Sequence, residues 1–241
     1  MEAAKNIHKK SAEVARSVGT GAKKLWSTLS KGGSNALPAL EALENLHTIS
    51  AMLGTTFDPK RPEHMALLNR LWDLFFPGAP FEAVSPKWRE VGFQNADISA
   101  DLRGTGTLSL RSMRYFLEKY PAAARAMLKQ QSGRTQAHYP FAVVGNNLTL
   151  MLADVLDLRL QQFASTRASY WGVFEDETAF SEVFCMAFCL LDRVWNDQGA
   201  TRDRFGKIIG HVKVCVENVL DSGPTSLQAF MDHATAAGFL H

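Results

Sequence analysis

Arg103 lies in the stretch DLRGTG, residues 101–106, between a polar run ending at Ala100 and an apolar segment starting at Leu108. Asp101 stands two positions before it, and Gly104 and Gly106 follow. Two chemistries fit this spacing. An arginine beside an aspartate can close a turn as a local ion pair, with glycine supplying backbone freedom. Alternatively, a guanidinium held out on a glycine-containing loop presents a planar, permanently charged fork of donors to the active site of another protein.

Other catalytic patterns are missing. The chain has no phosphate-binding G-x-x-x-x-G-K-[ST] run, no G-x-S-x-G elbow and no H-E-x-x-H pair. RGTG is half of a G-x-G-x-x-G fingerprint and follows no predicted strand, so dinucleotide binding is not expected. Asp97 and Asp101 are four apart, but a Ca²⁺ loop needs denser oxygen ligands. Cys185 and Cys189 share a helix face, yet no neighbouring His or Cys completes a four-ligand metal set. They read as small apolar core residues. With Cys215 the thiols number three, an odd count that points to reduced cysteines in an intracellular, cytoplasmic protein. No metal and no cofactor is expected. Such a chain is expected to act on, or with, another protein.

The elements that must hold Arg103 read as helices. LPALEALENLHTISAML (37–53) and PEHMALLNRLWDLFF (62–76) have apolar residues at three- and four-residue steps, the second with Pro62 suited to a first turn. Ser85 and Pro86 look like a cap and a first turn leading into KWREVGF. Helical spacing resumes at Leu108, and Pro121 opens PAAARAMLKQQ. Phe180 to Trp195 and Phe205 to Leu220 keep the 3.6-residue period, and SLQAFMDHATAAG closes with Gly238 as a helix stop. The expectation is an all-α chain: one compact domain over 36–241 with roughly eight to ten helices of ordinary length.

A basic arm precedes it. Residues 1–35 hold seven basic against two acidic side chains, whereas the rest holds 19 basic and 22 acidic. Ile7, Val14, Val18, Leu25 and Trp26 fall on one side of a weak helical pattern interrupted by Gly19 and Gly21. Two readings stay open: a basic amphipathic segment on an anionic membrane surface, or a solvated arm whose Trp26 docks on the body. KGGSN (31–35) reads as a linker. The net charge of +2 singles out no partner, and no nucleic-acid partner is expected. The richest apolar run, FAVVGNNLTLMLADVLDL, is interrupted by two asparagines and two aspartates, so no membrane span is expected.

Read whole, residues 88–116, WREVGFQNADISADLRGTGTLSLRSMRYF, resemble the signature of the ELMO (engulfment and cell motility) domain family. Trp88, Gly92, Phe93, Gln94, Asp101, Arg103, Gly104, Gly106, Leu108 and Phe116 fall in register with it. YPFAVVGNNLTLML (139–152) and FSEVFCMAFCLLDRVW (180–195) look like two further marked helices of the family, and the resemblance spans about 45–220. The chain departs from the signature at Ile98, Ala100 and Leu102, where the family usually has proline, threonine and phenylalanine. Ser112-Met113 replaces an Asn-Leu pair.

The resemblance implies a function. Short members of the family act as GTPase-activating proteins for Arf-family and Arf-like small GTPases. The motif arginine is assigned the catalytic role, which would fall to Arg103. Gln94, Asp101, Gly104 and Gly106 would contact the GTPase or position the loop, with Asp101 restraining the unbound arginine and both glycines letting the backbone approach a nucleotide. Trp88, Phe93, Leu108 and Phe116 would be structural anchors. Long members instead scaffold exchange factors for Rac, using additions for which 241 residues leave no room. A non-catalytic adaptor that binds a small GTPase or its regulator remains the alternative.

Overall fold

The computed structural model describes residues 38–131, 138–161, 163 and 169–239. The basic arm with Trp26, and the KGGSN run, lie outside the described residues. Within them the chain forms eight α-helices and no strand, as the apolar periodicity requires. They are α1 (Leu40–Gly54), α2 (Pro62–Phe75), α3 (Leu108–Lys119), α4 (Pro121–Gln131), α5 (Phe141–Val155), α6 (Ala179–Asp197), α7 (Phe205–Asp221) and α8 (Leu227–Ala236). No described helix is long and apolar enough to cross a membrane.

Local chemistry sets the ends. Pro62 and Pro121 occupy first turns, where the missing N–H costs nothing. The Ser226 hydroxyl accepts from the Ala229 N–H at 3.2 Å and caps α8. At the other end Gly238 takes a φ of 78°, so Phe239 and Gly238 donate to the Ala234 and Thr235 carbonyls and close the helix. The Pro86 stretch differs from a full helix. It makes a short 3₁₀ turn, Pro86–Val91, that stops at Gly92, while Ser85 accepts from the Lys87 N–H as expected of a cap.

α6 is the central element, buried on nearly every side, and α3 packs against α2, α5 and α6. Aromatic rings run through the interior. Phe188 of α6 meets Phe116 of α3 at 5.2 Å and Phe141 of α5 at 4.7 Å. Phe141 meets Phe75 at 5.8 Å, which continues to Trp88 at 6.5 Å. Trp88 in turn contacts Trp72 at 5.0 Å and Phe93 at 5.5 Å. Truncating a fully buried ring of this kind costs about 3–5 kcal/mol.

Several polar groups in the core are paired across elements. The buried Glu182 carboxylate accepts from the Tyr115 and Tyr120 hydroxyls, each at 2.5 Å, and clasps the end of α3 to α6. Burial, then the bond to Glu182, pushes both phenols well above their ordinary range. Asn45 of α1 donates to the Phe174 and Glu175 carbonyls of the 3₁₀ turn Trp171–Glu175. Cys185 is buried in α6, and Cys189 sits half-buried one turn on, its thiol pushed up to about 11 by burial and then Asp192. Among the described residues no cluster of three His, Cys, Asp or Glu side chains could hold a metal.

Candidate functional site around Arg103

The loop between the 3₁₀ turn Ile98–Ala100 and α3 is a run of tight turns. Asp101 N–H donates to Ile98 O at 2.9 Å, Thr105 N–H to Leu102 O at 3.2 Å and Gly106 N–H to the same carbonyl at 3.0 Å. Ile98 and Leu102 are 1% and 2% exposed, so both departures from the family signature are apolar plugs driven into the core. Ala100, between them, is exposed. Ser109 Oγ donates to the buried Thr105 Oγ1 at 3.1 Å and ties the loop to the first turn of α3.

Arg103 projects from this frame. It is exposed, and among the described residues no hydrogen bond or ion pair engages its guanidinium. The local pair with Asp101 is absent. The Asp101 carboxylate instead accepts from the Gln94 N–H and the Asn95 N–H, each at 3.2 Å, and from Asn95 Nδ2 at 3.3 Å. Two main-chain donors and an amide therefore compete for the carboxylate, and they staple the 94–95 segment to the loop. Asp101 positions the loop rather than restraining the arginine. The Gln94 side chain is exposed beside it.

The two glycines part company. Gly104 is exposed with a φ of 88°, so its backbone is open to a partner. Gly106 is not: it is buried, and a methyl group there would lie 2.4 Å from Met52 O and 2.5 Å from Leu53 O. The expected approach of Gly106 to a nucleotide is corrected by this packing. Gly106 lets the loop press onto the C-terminus of α1, whose end carbonyls have no helical partner. Thr107 N–H then donates to Met52 O and Thr55 O at 3.1 and 3.2 Å.

The anchors sit where their ring and chain types demand. Trp88 and Phe116 are fully buried, with Phe93 and Leu108 nearly so. Trp88 Nε1 donates to Ala83 O at 3.3 Å, which removes the cost of burying the indole N–H. Asp97 does not approach a cation site with Asp101, because its carboxylate accepts from the Ser99 N–H at 2.9 Å.

Three groups that spacing did not mark complete the loop's support. Asn146 of α5 donates through Nδ2 to Asp101 O at 3.0 Å. It links a helix to the loop, whereas Asn147 bonds back within α5, to Val143 O. Arg159 donates to Gly104 O at 3.4 Å and pairs with Asp154 at 3.6 Å. Ser50 of α1 holds the segment that carries Arg159, donating to Leu158 O at 2.7 Å. Asn146 and Arg159 lie 45 and 55 positions from the loop residues they bond, a separation at which periodicity carries no signal.

Residues 47–209 match the model of the ELMO/CED-12 family. ELMO domain-containing protein A of Dictyostelium discoideum is 33% identical over 196 residues, 73% of this chain and 20% of that protein. ELMO domain-containing protein 2 of Mus musculus is 30% identical over 158 residues, 63% of this chain and 51% of that protein. Engulfment and cell motility protein 3 of Mus musculus is 31% identical over 155 residues, 62% of this chain and 21% of that protein. The aligned segment thus spans about half of one of these relatives and a fifth of the other two. With more than half its length matched by the family model, the chain belongs to the ELMO/CED-12 family.

Proposed function

We propose that the chain is a GTPase-activating protein for Arf-family or Arf-like small GTPases and supplies Arg103 in trans. The observation that carries this reading is the free, exposed guanidinium on a loop held by Asp101, Asn146 and Gly106. GTP hydrolysis builds negative charge on the γ-phosphate oxygens and the leaving β–γ bridge. A guanidinium is always charged and offers donors in a fixed fork, so it stabilises that charge without proton bookkeeping. An unpaired arginine leaves no ion pair of its own to break on docking, and a preformed loop loses little entropy. A finger of this kind is worth about 10³- to 10⁵-fold in hydrolysis rate.

The test is single-turnover phosphate release from GTP-loaded Arf and Arf-like GTPases, with the chain added in catalytic amounts. Wild type accelerates release from at least one of them. Arg103→Lys keeps the charge but loses the fork, and abolishes acceleration while the complex still forms. Complex formation with no acceleration by wild type would instead establish the adaptor reading.

A further inference from the structure

A second exposed element adjoins Arg103. The turn after α5, from Asp157 to Gln161, reaches it through Arg159, whose guanidinium lies 3.4 Å from the carbonyl of Gly104, the residue after Arg103. The next residue, Leu160, is 63% exposed, one of three large apolar side chains left in water among the described residues. Its neighbour Leu158 is fully buried, so the turn drives one leucine into the core and holds the other out.

The turn is built to stay in this shape. Asp157 and Gln161 have φ values of 50° and 52°, and they are the two non-glycine residues in the left-handed region among the described residues. Such backbone persists only where the surroundings over-determine it, and it gathers at functional surfaces. Here the surroundings are specific. Leu160 and Gln161 both donate to Asp157 O at 3.1 Å, Ser50 donates to Leu158 O, and Gln161 Nε2 donates to Ser50 Oγ at 3.0 Å. The result is a rigid mount for two outward side chains, Arg159 and Leu160, against the arginine loop.

We propose that Arg159 and Leu160 form the recognition half of the Arg103 surface and dock the same GTP-loaded small GTPase. This rests on the reading of Arg103 given above. A single arginine cannot hold a protein partner. Stable docking needs an apolar anchor whose burial excludes water around the charges. Leu160 supplies the anchor. Arg159 adds a second positive charge beside Arg103, complementary to the negative charge of a bound nucleoside triphosphate, and its present contacts are exposed and easily exchanged. Arg103 then serves the reaction, and Leu160 serves affinity.

The division is read from phosphate release by a responsive Arf or Arf-like GTPase, measured against the concentration of the chain. Leu160→Asp raises the half-saturating concentration about tenfold or more, the loss expected for one central anchor. Leu160→Ser moves it in the same direction by less. Arg103→Lys abolishes the maximal rate instead. Val214→Asp, which charges an exposed apolar side chain on α7 (52% exposed), changes neither. Melting curves matching wild type establish that the Leu160 variants are folded. Unchanged half-saturation in both Leu160 variants, with stimulation still sensitive to Arg103→Lys, overturns this proposal alone. If wild type stimulates no GTPase, the reading of Arg103 fails and this proposal fails with it.

Discussion

Asn146, in the middle of α5, donates its side-chain amide to the carbonyl of Asp101 across 3.0 Å and so fixes the peptide two residues before Arg103. The bond is part-buried, and the Asn146 Oδ1 beside it has no partner among the described residues. Asn146→Ala therefore removes one satisfied donor and one unsatisfied acceptor together. The net loss is about 1–2 kcal/mol, smaller than for a fully paired amide. Urea denaturation reads it. Asn146→Asp is the harsher change, because it sets a carboxylate against a carbonyl oxygen.

Asp101 and Arg103 are close in sequence but make no bond to each other. A double-mutant cycle with Asp101→Ala and Arg103→Ala is therefore expected to show stabilities that add to within about 0.5 kcal/mol. Asp101→Ala alone destabilises the chain, since the Gln94 and Asn95 N–H groups lose their acceptor. A coupling energy well above that bound would mean that the ion pair forms in solution.

Gly106→Ala tests the contact between the loop and α1. The added methyl meets main-chain oxygens, which cannot swing away, and φ of 56° strains any L side chain. The combined cost is on the order of 3 kcal/mol, visible as a large fall in melting temperature. Gly104→Ala, with nothing closer than the Leu150 side chain at 3.9 Å, carries the φ penalty alone and is the milder variant.

Stability also depends on His64. It is buried, stacks on Phe57 and accepts from the Asp58 N–H through Nδ1 at 2.9 Å, so it is neutral in the folded chain. Burial, followed by Arg61, holds its pKa below the ordinary histidine value. The unfolded chain then takes up the proton more readily. This contribution to stability is full above pH of about 6.5 and is lost as pH falls toward the lower folded value. His47 shifts the same way through burial. Urea midpoints are expected to drop between pH 7.5 and 5.5, with a shallower drop in His64→Gln.

The helices were legible because their apolar residues recur at three- and four-residue steps, whether one stripe is buried or, as in α6, nearly every side, and the prolines and Gly238 punctuate them by backbone rules that need no partner. Trp88, Phe93, Leu108 and Phe116 were marked through the family resemblance, and all four side chains are buried. The hold of Asp101 on Arg103 that their closeness in sequence suggests is absent, because the folded loop brings the N–H groups of residues 94 and 95 to the carboxylate first. The packing of Gly106 was hidden because positive φ and tight packing against α1 leave the same mark in sequence as an open loop. Arg159 and Ser50 were invisible: their roles arise from the meeting of α1, the 101–107 loop and the turn after α5, which is a property of the tertiary fold.

The seating of Thr107 on the end of α1 bears on how the molecule should be dissected. The family match starts at residue 47, part-way along α1. A fragment cloned from that boundary would discard Leu43, Leu46 and Asn45, leaving the remaining turns of α1 held to the interior by Ile49, Ser50 and Leu53 alone. Their carbonyls would no longer offer a firm seat, and the arginine would be displayed from a shifting base. An inert fragment of that kind would report a cut made in the wrong place, so expression boundaries belong upstream of Leu40.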